Sequence, residues 1–263
     1  MKRMLEIEIT RMDVRAGRAF KLIDFVAEEK PLQIFVNKKH YATIFCSPTN
    51  LKELTLGHLL SEGILKSIEE IEVLRISADA SACRVKLKPE VNIEKRQVPA
   101  RLSARVIRST CGSSSTYQYS RRIPKIRSRL AIRASTILES VSRLNSSEMF
   151  RKTGGVHVAI LYDKHGEEIA LAEDVGRHNA VDKVIGAGAL EKIDFGDCFL
   201  ALSGRLTGDI VFKAAMLQLP IVASLAAPID SGIEIANKAG LTLVGFVRGN
   251  RMNVYAFPER IRL

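Results

Sequence analysis

Glu173-Asp-Val-Gly-Arg-His-Asn-Ala-Val-Asp-Lys-Val-Ile-Gly186 follows the apolar run Ile169-Ala-Leu-Ala172 and crowds two carboxylates, an arginine, a histidine and an asparagine into its first seven residues. Val181, Val184 and Ile185 then recur at helical spacing, so the stretch reads as a strand that turns into a helix. Free N–H groups and the positive end of the helix dipole make such a junction receptive to anions, and Arg177 and His178 add donors. An architectural reading stands beside the functional one: Asp174 or Asn179 caps the helix start and Arg177 pairs with Glu173. Either way the junction belongs to an alternating α/β domain.

The surrounding sequence continues that alternation. Upstream, Val156 to Tyr162 and Glu168 to Ala172 form a hairpin across Asp163-Lys-His-Gly166, and a helix is predicted over Ala131 to Leu144. Downstream come strand Cys198 to Leu202, helix Gly208 to Leu217, strand Pro220 to Ser224, helix Ser231 to Ala239, and strands Thr242 to Val247 and Asn253 to Phe257. The unbroken apolar runs Phe199-Leu-Ala-Leu202 and Leu243-Val-Gly-Phe-Val247 are those of strands covered on both faces. A three-layer α/β/α sandwich with a mixed sheet is the economical architecture.

The N-terminal part reads as a smaller α+β domain. Residues 5 to 36 give a short strand, a variable stretch and a second strand at Pro31 to Val36, which pairs with Tyr41 to Cys46 across Asn37-Lys-Lys-His40. Ser47-Pro-Thr-Asn50 caps a helix carrying Leu51, Leu54, Leu59 and Leu60, and Gly63 ends it. His58 within it reads as a partly buried polar residue, because no second ligand stands at metal spacing. Strands Ile71 to Ser77 and Cys83 to Leu87 follow, and Pro89 to Pro99 is the linker candidate, dividing the chain into residues 1–98 and 99–263.

With 263 residues, 46% apolar and 26% charged, the chain can bury a large core. No run of eighteen apolar residues occurs and the first residues show no signal-peptide order, so a cytosolic location is expected, away from membranes. The net charge of +11 has one source: Lys95 to Arg133 holds eleven Lys or Arg and no Asp or Glu, which leaves the remainder neutral. That window calls for an anionic partner at one place. Tyr117 and Tyr119 lie inside it, but no nucleic-acid-binding module surrounds them.

Inside the window lies Ser109-Thr-Cys-Gly-Ser-Ser-Ser-Thr116. A thiol between a basic approach and a small-residue loop has the setting that lowers its pKa, which makes Cys111 a candidate nucleophile; the alternative is a linker that happens to contain a cysteine. Cys46, Cys83 and Cys198 read as packed residues, and no C-x-x-C pair is present. Ser203-Gly-Arg-Leu-Thr-Gly-Asp209 sits between a buried strand and a helix, where ligands of open α/β sheets gather; Gly204 allows close backbone approach and Arg205 a bidentate phosphate contact. Thr153-Gly-Gly-Val-His157 opens a strand similarly, placing His157 on one of its faces. These turns and the basic window describe a polyphosphate pocket, with neither a Walker A loop nor a dinucleotide fingerprint, and no zinc-ligand motif.

Together, Glu173 to Lys183, Ser203-Gly-Arg-Leu206, Thr153 to His157 and Leu56-Gly-His-Leu-Leu-Ser-Glu-Gly63 closely resemble the formate dehydrogenase accessory sulfurtransferase family, over about Glu29 to Ile261. The resemblance implies a cytidine-deaminase-like sandwich lacking zinc, and a homodimer. It implies that sulfur from a cysteine desulfurase is carried as a cysteine persulfide to the molybdenum or tungsten bis(molybdopterin guanine dinucleotide) cofactor before insertion into formate dehydrogenase. GDP would mimic that ligand. Cys111 matches the first cysteine of the family's C-x-x-C loop, whereas Ser114 occupies the second position. Met252, Asn253, Val254, Tyr255, Ala256 and Phe257 match the family's cofactor-binding stretch, and Arg177, His178, Asn179, Gly204, Arg205 and His157 join them as candidate cofactor-binding residues. A cofactor chaperone without sulfur chemistry is the alternative function.

Overall fold

The computed structural model describes residues 4–93, 105–107 and 123–263, with the backbone alone at 105–107. β1 (Met4–Asp13) and β2 (Arg18–Ala27) form an antiparallel ladder from Met4 opposite Ala27 to Asp13 opposite Arg18. It is far longer than the short strand expected, because Leu5, Ile7 and Ile9 share a face with Phe20, Leu22 and Val26 across the ladder. β3 (Lys30–Val36) and β4 (Lys39–Cys46) make the anticipated hairpin. Its turn uses positive φ at both Asn37 (47°) and Lys38 (69°), as a tight two-residue connection demands.

After α1 (Leu51–Ser61), strands β5 (Ile71–Ile76), β6 (Ala82–Leu87) and β7 (Arg105–Ile107) complete a five-stranded sheet in the order β5-β6-β3-β4-β7. β7 runs parallel to β4, with Arg105 opposite Ala42. The small sheet therefore reaches past residue 98, where the sequence suggested a boundary.

Next come β8 (Ile132–Arg133), α2 (Ala134–Ser142), α3 (Glu148–Thr153), β9 (His157–Asp163), β10 (Glu168–Asp174), α4 (Arg177–Leu190), β11 (Cys198–Leu202), α5 (Gly208–Met216), β12 (Ile221–Ser224), α6 (Asp230–Ala239), β13 (Thr242–Arg248), β14 (Arg251–Ala256) and β15 (Ile261–Arg262). The six-stranded sheet has the order β10-β9-β11-β12-β13-β14. β11, β12 and β13 are parallel, and β9, β10 and β14 run antiparallel to their neighbours. Alternate residues serve opposite layers: Val158, Ile160, Tyr162, Phe199 and Ala201 pack with Ile137 and Val141 of α2, whereas Ala159, Leu161, Leu200 and Leu202 join the core of α4, α5 and α6. The fold is thus mixed α/β with helices on both faces of the large sheet. No helix among the described residues is long and apolar enough to cross a membrane.

α1 and α4 hold the two sheets together. Both are buried on nearly every side, because α1 lies in the core that runs from the small sheet to α4. They touch backbone to backbone: a Cβ on Gly57 would fall 1.7 Å from the Asp182 carbonyl oxygen, and one on Gly186 would fall 1.9 Å from that of Glu53. No side chain fits either position. Gly57→Ala is expected to destabilise the protein by about 3 kcal/mol or more, since well-packed interiors do not yield to added groups; urea unfolding with far-ultraviolet circular dichroism measures it, and a midpoint unchanged from wild type would contradict the close crossing.

Candidate functional site

The parallel core of the large sheet dictates where chemistry can gather. Residues that follow β11, β12 and β13, the first residue of β9, the last of β10 and the first of β14 all reach one edge of the sheet. Helices α4, α5 and α6 begin at that edge, and none has a side chain capping its first turn from the N-cap residue. Such an edge is where open α/β sheets bind ligands.

There the structure brings together His157, Arg177, His178, Gly204 and Arg205. A Cβ on Gly204 would lie 3.0 Å from Arg177 Cβ and 3.4 Å from His157 Nδ1, so the missing side chain lets the loop after β11 close over both. Ser203 Oγ accepts the Val158 N–H at 3.0 Å and lies 3.5 Å from His157 Nδ1, which fixes the first turn of the loop. Burial lowers the His157 pKa, and the Arg177 and Arg205 charges lower it further. Arg205 itself is exposed.

His178 is part of the same cluster. Burial, assisted by Arg177 and Lys213, pushes its pKa down to about 3, so its imidazole is neutral at neutral pH. Its Nε2 is buried, stands 3.9 Å from Asp209 Oδ2 and makes no hydrogen bond; the buried Thr207 Oγ1 makes none either. Polar atoms orphaned at a ligand-binding edge fit a bound group with hydrogen-bonding oxygens, such as phosphate. Thr207 and Asp209 were legible only as members of Ser203-Gly-Arg-Leu-Thr-Gly-Asp209.

The opening stretch divides between the two readings. Glu173 turns away from Arg177 and caps α3, accepting from Ser147 Oγ and from the Met149 N–H at 3.0 Å. Asp174 accepts the Gly176 N–H at 2.8 Å and the Ser47 N–H at 3.1 Å, and pairs with Lys183 Nζ at 2.7 Å. Asn179 sits behind the edge, donating from Nδ2 to Phe45 O and to Asp174 Oδ1, both at 2.9 Å. Its amide is thus committed to joining α4 to β4. Asp182 faces inward, taking Lys213 Nζ at 2.9 Å, Ser61 Oγ at 2.7 Å and His58 Nδ1 at 3.1 Å. Burial alone would raise its pKa, but Lys213 and His58 overcome that and hold it at about 2. His58 is therefore a buried partner of Asp182, and Glu62 shares Lys213 at 3.5 Å.

Met252 to Phe257 is spread across the sheet. β14 crosses it from end to end, so Met252 and Asn253 lie toward the His157 edge and Val254 and Tyr255 mid-strand. Ala256 and Phe257 reach the opposite edge, where Thr242 Oγ1 donates to Phe257 O at 2.7 Å. Cys111 and Ser114 lie outside the described residues. The other thiols are buried: burial pushes Cys46 and Cys198 up to about 12 and also raises Cys83. Among the described residues, no group of three His, Cys, Asp or Glu is placed to hold a metal ion.

These shifts give stability a defined pH dependence. The unfolded chain protonates His178 below about 6.5 whereas the folded chain refuses the proton down to about 3, so stability is complete above pH 6.5 and falls as pH drops through that window. His157 contributes with the same sign. Urea midpoints are expected to be level between pH 8 and 7 and to decline below 6.5, and His178→Gln should flatten the decline; an equally steep profile in the variant would refute the assignment.

The family model described as the FdhD/NarQ family matches residues 27–262. The chain is 41% identical over 252 residues to the sulfur carrier protein FdhD of Sulfolobus acidocaldarius, covering 95% of this chain and 96% of that protein. It is 35% identical over 257 residues to the sulfur carrier protein FdhD of Methanothermobacter thermautotrophicus, covering 97% and 98%. The crystal structure of a formate dehydrogenase accessory protein from Desulfotalea psychrophila superposes with a TM-score of 0.79 at 26% identity, covering 99% of this chain and all of that one. The chain belongs to the FdhD/NarQ family.

Proposed function

We propose that this protein is a sulfur carrier for formate dehydrogenase, working in the cytoplasm as a homodimer. The Cys111 thiolate attacks the terminal sulfur of a cysteine desulfurase persulfide, forming one S–S bond as the desulfurase thiolate leaves. The S–S bond then breaks and the outer sulfur passes to the molybdenum or tungsten bis(molybdopterin guanine dinucleotide), which is the substrate; the Cys111 thiolate leaves with the S–S pair, and the reduced metal of the substrate supplies the pair of the new metal–sulfur bond. The observation that carries this reading is the state of the thiols: Cys46, Cys83 and Cys198 are buried with raised pKa values, so Cys111, in the basic window, is the cysteine suited to react. Relatives named sulfur carrier protein FdhD support it.

The sheet edge suits the substrate's nucleotide ends. Arg205, the orphaned His178 Nε2 and Thr207 Oγ1, and the starts of α4 and α5 supply the donors that phosphates need. The six-stranded sheet with helices on both faces is read as a cytidine-deaminase-like sandwich put to nucleotide binding. Ser114 leaves the loop without a second thiol that would attack the persulfide and release sulfide, which favours a persistent loaded state.

Incubation with a cysteine desulfurase and cysteine should add sulfur to the wild type, removable by reductant, and none to Cys111→Ser, as read by mass spectrometry. A wild type that binds the guanine dinucleotide cofactor yet never loads sulfur would leave the chaperone function in its place. In calorimetric titration GDP should bind more tightly than ADP or CDP, and Arg205→Ala should weaken GDP by about 1.5–3 kcal/mol; equal binding of all three nucleotides would count against the guanine pocket.

A further inference from the structure

The five-stranded sheet is covered on one face only. Leu32, Ile34, Ile44, Cys83, Val85 and Leu87 are buried in the core with α1. The residues that alternate with them, Gln33, Phe35, Arg84 and Lys86, point the other way and reach the surface, Phe35 in part. On that outer face four strands line up one row. Arg75 of β5 lies opposite Arg84 of β6, Arg84 opposite Phe35 of β3, and Phe35 opposite His40 of β4. The Arg84 guanidinium sits 5.4 Å over the Phe35 ring, and the His40 ring meets Phe35 edge-on at 5.3 Å. His40 Nε2 lies 3.0 Å from Thr43 Oγ1, which steadies the imidazole.

Like charges directly opposite each other on a sheet cost stability unless something negative lies between them. Arg75 and Arg84 are both exposed, and neither has a carboxylate partner among the described residues. Glu72, on the same strand as Arg75, is taken by Lys86 Nζ at 2.6 Å. The row therefore presents two guanidiniums and two rings and no acid.

That combination selects the occupant. An acidic protein surface would satisfy the arginines but leave the ring planes without a counterpart. A second copy of this chain would bring the same two arginines, with no acid in the row to meet them. A single-stranded nucleic acid supplies both phosphates and unpaired bases, and open sheets that read single strands pair cations with aromatic planes in this way. Arg84 suits both roles, since its edge donates to phosphate and its plane carries a stacked base. From Arg75 to His40 the row spans three strand spacings, about 14 Å, room for more than one nucleotide.

We propose that the outer face of the small sheet binds single-stranded nucleic acid, with Arg75 and Arg84 on backbone phosphates and bases stacked on the Arg84–Phe35 pair beside His40. The face shares no residue with the basic window and lies on a different sheet from the edge where His157 and Arg205 gather. No continuous motif announces it, because the row is assembled from strands far apart in the chain.

Fluorescence anisotropy of the full chain with a labelled oligouridylate, with poly-glutamate as competitor, tests this. The wild type should bind the oligouridylate and lose affinity as salt rises. Arg75→Ala/Arg84→Ala should weaken binding roughly 10-fold or more. It should also flatten the salt dependence, each lost phosphate contact removing about 0.7 from the slope of log K against log salt. Phe35→Leu should weaken binding about 5-fold or more at an unchanged slope. Circular dichroism should match the wild type in the arginine variant, and the basic window is intact in it, so its loss reports on the face. A wild type that binds no oligouridylate, or an arginine variant that binds it as tightly as the wild type, would overturn the proposal. Displacement by poly-glutamate together with an unaffected Phe35→Leu would make the face a dock for an acidic protein and overturn it as well. A parallel loss of GDP affinity in the arginine variant would turn the face into the nucleotide site and overturn it as a separate surface.

Discussion

The crossing of α1 and α4 at Gly57 and Gly186 is the constraint on which the remaining geometry depends. With no side chain between them, the Asp182 carbonyl lies against α1 and that of Glu53 against α4, leaving the pair no room to slide or rotate. Buried charges lock the crossing: Lys183 ties Asp174 to the backbone of Ser47 just before α1, and Lys213 of α5 joins Asp182 to Glu62 at the end of α1. Removing one partner from such a cluster leaves an uncompensated charge in the interior, which is far more damaging than losing a surface pair.

That arrangement explains how one short motif serves two purposes. Asp174, Asn179, Asp182 and Lys183 face inward and consume their hydrogen-bonding capacity within the fold. Arg177 and His178, on the first turn of the same helix, are left at the sheet edge. Because the inward residues fix the rotation of α4, they also fix where His178 Nε2 stands relative to Thr207 and Asp209. The low pKa of His178 follows from the same packing, since burial and two nearby cations deny the ring a proton.

Much of this was written locally in the sequence. The apolar run Phe199-Leu-Ala-Leu202 became β11 with both faces covered, and Ser203-Gly-Arg205 became the loop at its end, because periodicity and a glycine turn are signals carried by neighbouring residues. What depends on distant partners was hidden. The β1–β2 ladder needed the alternation of Leu5, Ile7 and Ile9 to be matched with that of Phe20, Leu22 and Val26. β7 owes its extension to β4, sixty residues upstream. His58, Ser61 and Glu62 share one face of α1, a polar set in an apolar helix, yet their partners Asp182 and Lys213 lie far along the chain. Asn179 is the instructive case: chemically suited to a ligand, it is spent on Phe45 O and Asp174.

The glycine crossing also bears on the order in which the protein can be made. α1 is surrounded by apolar and charged groups whose counterparts, Asp182, Gly186 and Lys213, are synthesised more than a hundred residues later. Until those residues leave the ribosome, Leu54, Leu59 and Ile64 have no α4 to cover them and Glu62 has no ammonium. The N-terminal sheet is therefore no independent folding unit for the nascent chain, and its central helix waits for the second half of the protein.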